Sequence, residues 1–334
     1  MEIKGKKFLI TGGAGFIGSH LCERLLKEGG KVVVLDNFRT GKMANLQAVK
    51  NSIKIIKGDI VNVKIVRQTV RGCQIIVHEA FPYGVSGMGL NEQYIKTGTV
   101  GTFNLLRSAV EQKIKKFIFA SSVSVYGIPK YLPIDEKHPI DPFLPYGATK
   151  RAGELYCSTF FKLYGLETVS LRYFYIYGPR YSVFDHSALV NFVNRSLRKK
   201  PLLIYGSGSQ VRDYTYIDDA VEATIMAIKK DNLGGKVYNV SSGAPVSILE
   251  LAKKIKQLSG TESKIQSARD KQYRYVPFCQ VPVGMTGRKA GRWTDERNYT
   301  ADLSLVKKDL GYFPKVSLEN GIKKTIEWLT TQPK

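Results

Sequence analysis

The hydrophobic positions in the first half of the chain fall into short apolar runs separated by amphipathic segments. Apolar runs rich in β-branched residues predict strands, and apolar positions three and four residues apart predict helices. The predicted strands are residues 7–11, 31–36, 53–58, 75–78, 116–120 and 168–173, and the predicted helices are residues 17–28, 93–112 and 147–164. Strands that alternate with helices predict an α/β fold with a doubly wound parallel sheet.

The hydrophobic pattern loosens beyond residue 178. Further helices are predicted at residues 187–199, 217–229, 246–259, 302–310 and 318–331, with short strands between them. We therefore expect two domains: residues 1–175 with a return segment near 212–242, and a smaller mixed α/β domain formed mainly by residues 176–334. Residues 269–292 form the longest stretch without periodicity, which fits a substrate-covering loop or a plain surface loop.

The composition is that of a globular protein. The chain has 334 residues, of which 43% are hydrophobic, and no apolar run approaches the ~18 residues of a membrane span. The first residues lead directly into a predicted strand, without the apolar region of a signal peptide. The cysteines show no metal-ligand spacing; they are Cys22, Cys73, Cys157 and Cys279. We expect reduced thiols, no metal site and a cytoplasmic location.

The formal net charge of +23 is unusual for such a composition. It could indicate a surface for nucleic acid or anionic membrane, or an anionic substrate. The alternative is a set of solvated lysine-rich faces, which we favour because Lys and Arg are scattered along the whole chain. The densest clusters, residues 113–116 and 198–200, lie at predicted helix ends, where the helix dipole favours cations.

Gly12, Gly15 and Gly18 follow the first predicted strand and open the first predicted helix. The first glycine permits a tight turn, the second lets backbone approach a pyrophosphate, and the third lets the helix pack on the sheet. Exposed amides at the start of the helix then bind the anion. This context indicates a dinucleotide-binding site in a Rossmann-type domain.

Asp36 ends the next predicted strand, 18 residues after Gly18. A carboxylate there accepts hydrogen bonds from the ribose hydroxyls and repels a 2′-phosphate, so the sequence predicts NAD in preference to NADP. Arg39 lies close enough to weaken that preference. Asp59 follows the third strand and could meet the adenine edge, or it could be a simple turn aspartate.

Tyr146 and Lys150 are four residues apart in a predicted helix, so both side chains lie on one face. A free tyrosine has a pKa of about 10, so a tyrosine base near neutrality needs its phenolate stabilised. The ammonium group of Lys150 and a positive nicotinamide would both do so. With the glycine turn in the same half of the chain, this pair predicts a catalytic base beside a nicotinamide.

With these motifs, the chain resembles the extended short-chain dehydrogenase/reductases, specifically the nucleotide-sugar epimerase/dehydratase group, and within it the UDP-hexose and UDP-hexuronate 4-epimerases. The resemblance spans nearly the whole chain. Its further markers are Gly58-Asp59-Ile60, Ser121-Ser122-Val123-Ser124-Val125-Tyr126-Gly127, Leu171-Arg172-Tyr173-Phe174, Tyr177-Gly178-Pro179-Arg180, Arg212-Asp213-Tyr214 and Thr300-Ala301-Asp302.

The resemblance implies a role for several residues. Tyr146 would take a proton from a sugar hydroxyl, Lys150 would also bind the nicotinamide ribose, and Ser122 would be the hydroxyl partner, with Ser124 close by. The two serines could instead make only local backbone bonds. Further cofactor contacts are expected from Phe16, Ile17, Asn37, Ile60, Ala80 and Phe174. Substrate contacts are expected from Ser122, Tyr146, Tyr175, Arg212, Arg292 and Tyr299.

Arginine forks suit a diphosphate, although Arg212 and Arg292 could also be surface residues. Tyr299 matches the position that limits room around the sugar 2-substituent in galactose epimerases, which favours plain hexoses. The expected reaction is NAD-dependent 4-epimerisation of a nucleotide-diphosphate sugar, with UDP as the expected nucleotide.

Two other activities stay open. Dehydratases and decarboxylases of the group usually carry a carboxylate at the position of Ser124, which favours an epimerase. Glu79 and Asp185 are carboxylates without an assigned place, so a 4,6-dehydratase or decarboxylase is the alternative. The second alternative is a non-catalytic relative that binds RNA or serves regulation. Such a protein has no need of Tyr146 and Lys150.

The chain departs from the group's pattern at three places. Tyr175 and Gly98 stand where asparagine is usual, and Phe81 stands where the usual His-x-Ala-Ala has its last alanine. Phe81 leads into a glycine-rich loop that ends at Gly89, and we expect this loop to reshape the sugar pocket. A homodimer formed through the helices at about 93–112 and 147–164 is expected from the group.

Overall fold

A computed structural model of the chain describes residues 1–82, 92–182, 187–268 and 297–332. Within these ranges seven parallel strands form one sheet, in the order β11-β6-β5-β4-β1-β2-β3. They are β1 (Lys7–Thr11), β2 (Lys31–Asp36), β3 (Lys54–Lys57), β4 (Ile75–His78), β5 (Lys116–Ser122), β6 (Glu167–Tyr173) and β11 (Lys236–Val240). The predicted doubly wound parallel sheet is confirmed.

Helices connect these strands and cover both faces of the sheet. Those of the first half are α1 (Phe16–Lys27), α2 (Val63–Val70), α3 (Gln93–Ile95), α4 (Thr102–Glu111) and α5 (Pro145–Tyr164). Those of the second half are α6 (Ala188–Leu197), α7 (Ile217–Lys229), α8 (Ile248–Ser259), α9 (Ser304–Leu310) and α10 (Leu318–Thr330). Short 3-10 turns lie at Met43–Leu46 and Val123–Val125.

The predicted helix over residues 93–112 is divided in the structure. A π-helical turn, Lys96–Gly101, stands between α3 and α4. Helix α2 was not predicted, because it has only eight residues. Its start is fixed by Asn62, whose side-chain oxygen accepts hydrogen bonds from the amides of Lys64 and Ile65.

Alternation along the strands builds a separate core on each face of the sheet. Phe8 and Ile10 of β1 belong to one hydrophobic cluster, and Leu9 between them belongs to the other. Successive strand residues point to opposite faces, so both faces of a fully covered sheet are apolar. Helices α1 and α7 pack together, as do α4 and α5.

The chain after β6 adds a smaller mixed α/β part, as the sequence predicts. Helices α6, α8 and α10 pack together there. Its short strands pair as β7 (Ile176–Tyr177) with β10 (Thr215–Tyr216), β9 (Val211–Arg212) with β12 (Val246–Ser247), and β8 (Leu202–Ile204) with β13 (Ile265–Ser267). Strand β11 returns to the large sheet beside β6. The exact domain boundaries remain a prediction, and the aperiodic stretch 269–292 lies outside the described ranges.

A buried ion pair ties helix α5 to the large sheet. Arg172 of β6 donates from Nε and Nη2 to the two carboxylate oxygens of Glu154, at 2.7 and 2.8 Å. Ser121 of β5 also donates to Glu154, at 2.6 Å. The third guanidinium nitrogen of Arg172 donates to Tyr126, whose hydroxyl in turn donates to Asn239 of β11. Every charge in this network has partners, which is the condition for burying an ion pair.

We predict that Glu154→Ala lowers the free energy of unfolding by about 3–5 kcal/mol, because it leaves the Arg172 guanidinium buried without its counter-ion. Urea denaturation measures this change. Glu111→Ala is the matched control, since Glu111 makes the same two-pronged bond to Arg67 on the surface. We expect a much smaller effect for the control, and equal small losses in both variants would contradict the prediction.

Candidate active site

A large cavity opens at the carboxyl ends of the parallel strands. Its volume is about 1540 Å³, more than the ~300–1,000 Å³ typical of a pocket for one drug-sized ligand. Residues after β1, β2, β4, β5 and β6 line it, together with the start of α5. Crevices at this edge of a doubly wound sheet are where such folds bind ligands.

The glycine turn after β1 fits the close approach of an anion to the backbone. Gly12 has a φ of 70°, and a Cβ atom there would lie 2.7 Å from the backbone of Ala80. A Cβ atom on Gly18 would overlap the backbone oxygen of Gly12 and lie 2.8 Å from Gly13 Cα. Phe16 and Ile17 begin helix α1 and line the cavity with Gly12, Gly15 and Gly18.

Acidic and amide side chains line the cavity where β2 and β3 end. Asp36 accepts hydrogen bonds from the amides of Ala14 and Phe38, at 2.9 and 2.8 Å. Burial raises the pKa of this carboxyl, and the two amides oppose the rise. The side-chain amide of Asn37 donates to Asp59 at 2.9 Å. These residues lie together, as expected, and Ile60 and Ala80 line the same cavity.

Arg39 lies in the wall of the cavity beside Asp36, where the sequence placed it. Its guanidinium donates to Gln93 at 2.7 Å. This bond occupies one guanidinium nitrogen of Arg39, which could otherwise donate to the 2′-phosphate of NADP.

Tyr146, Lys150, Ser122 and Ser124 are brought together in one wall of the cavity. Lys150 Nζ donates to the carbonyl oxygen of Ala120 at 2.7 Å and lies 5.8 Å from the centre of the Tyr146 ring. The Ser122 hydroxyl accepts a bond from the Ser124 amide at 3.2 Å and lies 3.3 Å from the Ser124 hydroxyl. The serines thus make the local bonds that were the alternative, and they also face the cavity.

Glu79 adds a carboxyl group to this wall that the sequence reasoning left unplaced. It follows β4, lines the cavity, and accepts a hydrogen bond of 3.5 Å from the Tyr173 hydroxyl. Burial raises the pKa of Glu79, opposed by the charge of Lys150. Burial likewise lowers the pKa of Lys150, opposed by Glu79 and Glu154. Each group therefore opposes part of the shift that burial causes in the pKa of the other. Asp185, the other unplaced carboxylate, lies outside the described residues.

Tyr175 lines the cavity where the substrate end was predicted, and it has a φ of 39°. The guanidinium carbon of Arg212 lies 5.4 Å from the Tyr175 ring and 5.1 Å from the Tyr299 ring. Arg212 and Tyr299 are both buried and are not among the residues that line the cavity. Arg212 donates to the backbone oxygen of Arg297. Arg292 lies outside the described residues.

Phe174 differs from the expectation of a cofactor contact. Its side chain is fully buried, and its ring lies 6.4 Å from that of Tyr126 in the core. The neighbouring residues Tyr173 and Tyr175 line the cavity instead. Alternation at the end of β6 turns the middle residue away from the cavity.

Arg180 and Thr97 also line the cavity, although sequence reasoning did not assign them to the site. Arg180 donates to Ser19 at 3.2 Å and pairs with Glu23, both on helix α1. Its place at the end of the Tyr-Gly-Pro-Arg motif was the signal that could have identified it. Thr97 lies in the π-helical turn and carried no such signal.

Comparisons with known proteins bear on the whole chain. Residues 8–241 match the model of the NAD dependent epimerase/dehydratase family. A UDP-N-acetyl-alpha-D-glucosaminuronate decarboxylase of Bacillus cytotoxicus is 36% identical, with 97% of each chain covered. A UDP-glucuronate 4-epimerase of Thermodesulfobacterium geofontis is 33% identical, over 96% of this chain and 95% of that one.

A solved structure is similar over the same extent. It is UDP-glucuronic acid 4-epimerase from Bacillus cereus in complex with UDP-glucuronic acid and NAD, with a TM-score of 0.84 and 31% identity. The match covers 97% of this chain and 99% of that one.

We predict that Asp36→Asn weakens NAD binding by on the order of tenfold, because a charged acceptor becomes a neutral one. The preference for NAD over NADP should shrink at the same time, because the carboxylate no longer repels the 2′-phosphate. Calorimetric titration with both dinucleotides measures this. Glu262→Gln removes a fully exposed carboxylate elsewhere and should change neither affinity; unchanged discrimination in Asp36→Asn would refute the assignment.

Proposed function

The chain belongs to the NAD-dependent epimerase/dehydratase family, and from this premise we propose that it is a 4-epimerase of a nucleotide-diphosphate hexose or hexuronate, with UDP as the nucleotide. Its cofactor is NAD. The observation that carries the proposal is a single cavity whose wall holds Tyr146, Lys150 and Ser122 and whose other end holds the glycine turn and Asp36.

The residues present fit a dinucleotide. A Cβ atom at Gly12 or Gly18 would overlap backbone atoms, so glycine keeps this turn tight. Phe16 and Ile17 begin helix α1 beside the cavity, and their amides would bind the pyrophosphate. Asp36 and Asn37 would bind the adenine ribose, and Lys150 would bind the second ribose. When bound, NAD supplies a reversible acceptor for hydride.

The side chains of the chain supply the proton chemistry. Tyr146 would accept the proton of the sugar 4-hydroxyl as that carbon is oxidised, and would return it when the carbon is reduced on the other face. The Lys150 ammonium favours the phenolate form of Tyr146. Ser122 would hold the reacting oxygen by a hydrogen bond, with Ser124 beside it.

Two features support epimerisation over elimination. Ser124 offers a hydroxyl where an eliminating enzyme of the group carries a carboxylate, and an epimerase needs only one base.

Arg212, with its ring contacts to Tyr175 and Tyr299, is the proposed partner of the diphosphate, helped by Arg292. The presence of Tyr146 and Lys150 also argues against a purely nucleic-acid-binding role, since such a protein would need neither residue.

A second candidate is a nucleotide-sugar 4,6-dehydratase or decarboxylase. The observation that favours it is Glu79, a carboxyl group in the cavity wall close enough to Lys150 for each to shift the pKa of the other. A carboxyl that holds a proton near neutrality is a competent general acid. The relative from Bacillus cytotoxicus, a decarboxylase by name, adds weight to this candidate.

NMR in D₂O separates the two reactions. We predict that the protein with NAD converts one of UDP-glucose, UDP-galactose, UDP-glucuronate or their N-acetyl analogues into a mixture of two C4 epimers without deuterium uptake. Hydride that leaves and returns within the site cannot exchange with solvent, which is the reason for this expectation. Tyr146→Phe should lower the rate by at least roughly 10²-fold, the usual contribution of a positioned base.

Deuterium at C5 or C6, or release of carbon dioxide, would replace the epimerase by the second candidate. Glu79→Gln is then the informative variant, because it should abolish elimination while leaving the oxidation of the sugar at C4 in place. No turnover of any sugar in the panel would overturn the proposal.

We propose a homodimer formed through α4 and α5. Most of the exposed large apolar side chains in the described ranges lie on these two helices, on the π-helical turn before α4 and at the end of α3. They are Ile95, Val100, Phe103, Leu155, Phe161, Leu163 and Tyr164. Apolar side chains grouped on one surface typically mark an interface.

We predict that Leu155→Asp converts the dimer to a monomer, because it places a charge in an apolar contact. Light scattering during size-exclusion chromatography measures the mass. Phe313→Asp introduces the same charge at another exposed apolar residue and should leave the dimer intact. A monomeric wild-type protein, or a dimer in both variants, would exclude this interface.

The proposed location is the cytoplasm. Cys22, Cys73 and Cys157 are free and buried, as expected of a protein in a reducing compartment. None of the helices in the described part of the chain has the length and apolarity to cross a membrane.

A further inference from the structure

Phe81 contacts both members of the Tyr146–Lys150 pair. Its ring lies 5.0 Å from the Tyr146 ring at an interplanar angle of 75°, an edge-to-face contact. Lys150 Nζ lies over the Phe81 ring, 4.6 Å from its centre. On its other side, Phe81 stacks on Tyr94, with centres 5.4 Å apart and an angle of 18°. The ring is thus wedged between helix α3 and the first turns of α5.

Gly98 leaves the space that the Phe81 ring occupies. A Cβ atom at position 98 would lie 2.8 Å from Phe81 Cε2 and would overlap Thr149 Cγ2. Such distances are not found for real Cβ atoms, so a side chain at 98 would force one of these groups to move. The π-helical turn Lys96–Gly101 brings the backbone of residue 98 to this place.

The two departures from the usual pattern are therefore one structural change. Asparagine is usual at position 98 and alanine at position 81. Here the larger side chain stands at 81 and the smaller one at 98. Lys150 thereby has the face of an aromatic ring as a neighbour.

We propose that Phe81 is a positioning residue for the Tyr146–Lys150 pair, and that Gly98 is required because it gives the Phe81 ring its place. The aromatic face attracts the ammonium group of Lys150, and the ring edge limits the motion of Tyr146. This inference rests on the proposed function, in which Tyr146 is the base.

The charged groups around Lys150 give the direction of the effect. Glu79 after β4 and Glu154 on α5 favour its ammonium form, and burial disfavours it. His78 lies within the electrostatic reach of Lys150, and burial lowers its pKa to about 3, so it is neutral. Removing the Phe81 ring takes away one stabilising contact of the ammonium. Less positive charge beside Tyr146 disfavours the phenolate.

We predict that Phe81→Leu moves the ionisation midpoint of Tyr146 to higher pH by roughly half a unit. This shift corresponds to the free energy of one weak cation–π contact. Leucine keeps the side chain apolar and removes only the aromatic face. Tyrosinate absorbance is followed against pH in each protein and in the same protein carrying Tyr146→Phe. The difference between the two curves is the titration of Tyr146, and it requires no turnover.

Two further variants serve as controls. Phe313→Leu removes a ring from beside Lys307, whose Nζ lies 5.8 Å from the ring centre at a remote surface, and it should leave the Tyr146 titration unchanged. Phe81→Tyr keeps an aromatic ring and should stay close to the wild-type midpoint. Identical titrations for the wild-type and Phe81→Leu pairs would overturn the proposal.

The role of Gly98 is tested by a double-mutant cycle. Gly98→Ala should shift the Tyr146 titration in the wild-type protein and shift it less in Phe81→Leu, because the obstructed ring is then absent. Equal shifts in both backgrounds would show that Gly98 serves another purpose and would overturn that half of the proposal. These readouts are independent of the sugar panel, so a failure of the epimerase assignment is seen separately, as absent turnover with an intact Phe81 effect.

Discussion

The geometry of the site depends on the buried contact between Glu154 and Arg172. Glu154 lies one turn beyond Lys150 on α5, and Arg172 lies on β6. The pairing of Glu154 with Arg172 therefore fixes the position of α5 relative to the strands. Ser121 joins the pair from β5, directly before the serine that faces the cavity. Tyr126 and Asn239 extend the network to β11. An ion pair of this kind contributes little net stability compared with apolar packing, but it penalises any other register of the helix.

The same cavity wall holds an acid and a base that burial pushes toward neutrality. Glu79 and Lys150 would each lose charge in isolation, and each restores part of the charge of the other. Proton position in this wall is therefore a property of the pair rather than of either residue. The wall is sensitive to what stands beside it, because a change in one neighbour alters the balance for both groups.

Most of the sheet and much of the site could be predicted from the sequence. The strands are buried β-branched runs, so their pattern is strong, and the glycine turn and the Tyr146–Lys150 spacing carry their meaning locally. The π-helical turn could not be predicted, because the apolar periodicity of residues 93–112 is that of one continuous helix and does not distinguish a local change in hydrogen bonding. The side chain of Phe174 lies in the core and not in the cavity lining, because a motif identifies a segment but does not say which of its side chains face the cavity. Glu79 was left unassigned since its significance comes from Lys150, a neighbour distant in sequence.

The fit between Phe81 and Gly98 also constrains how this chain can exchange parts with its relatives. A chimera that takes the end of β4 from this chain and the following helix from a relative with asparagine would place two side chains in space that holds one. The reverse chimera would leave a void beside Lys150. Residues 81 and 98 therefore have to be exchanged together. The side chain at 98 has to shrink before a ring can be accommodated at 81.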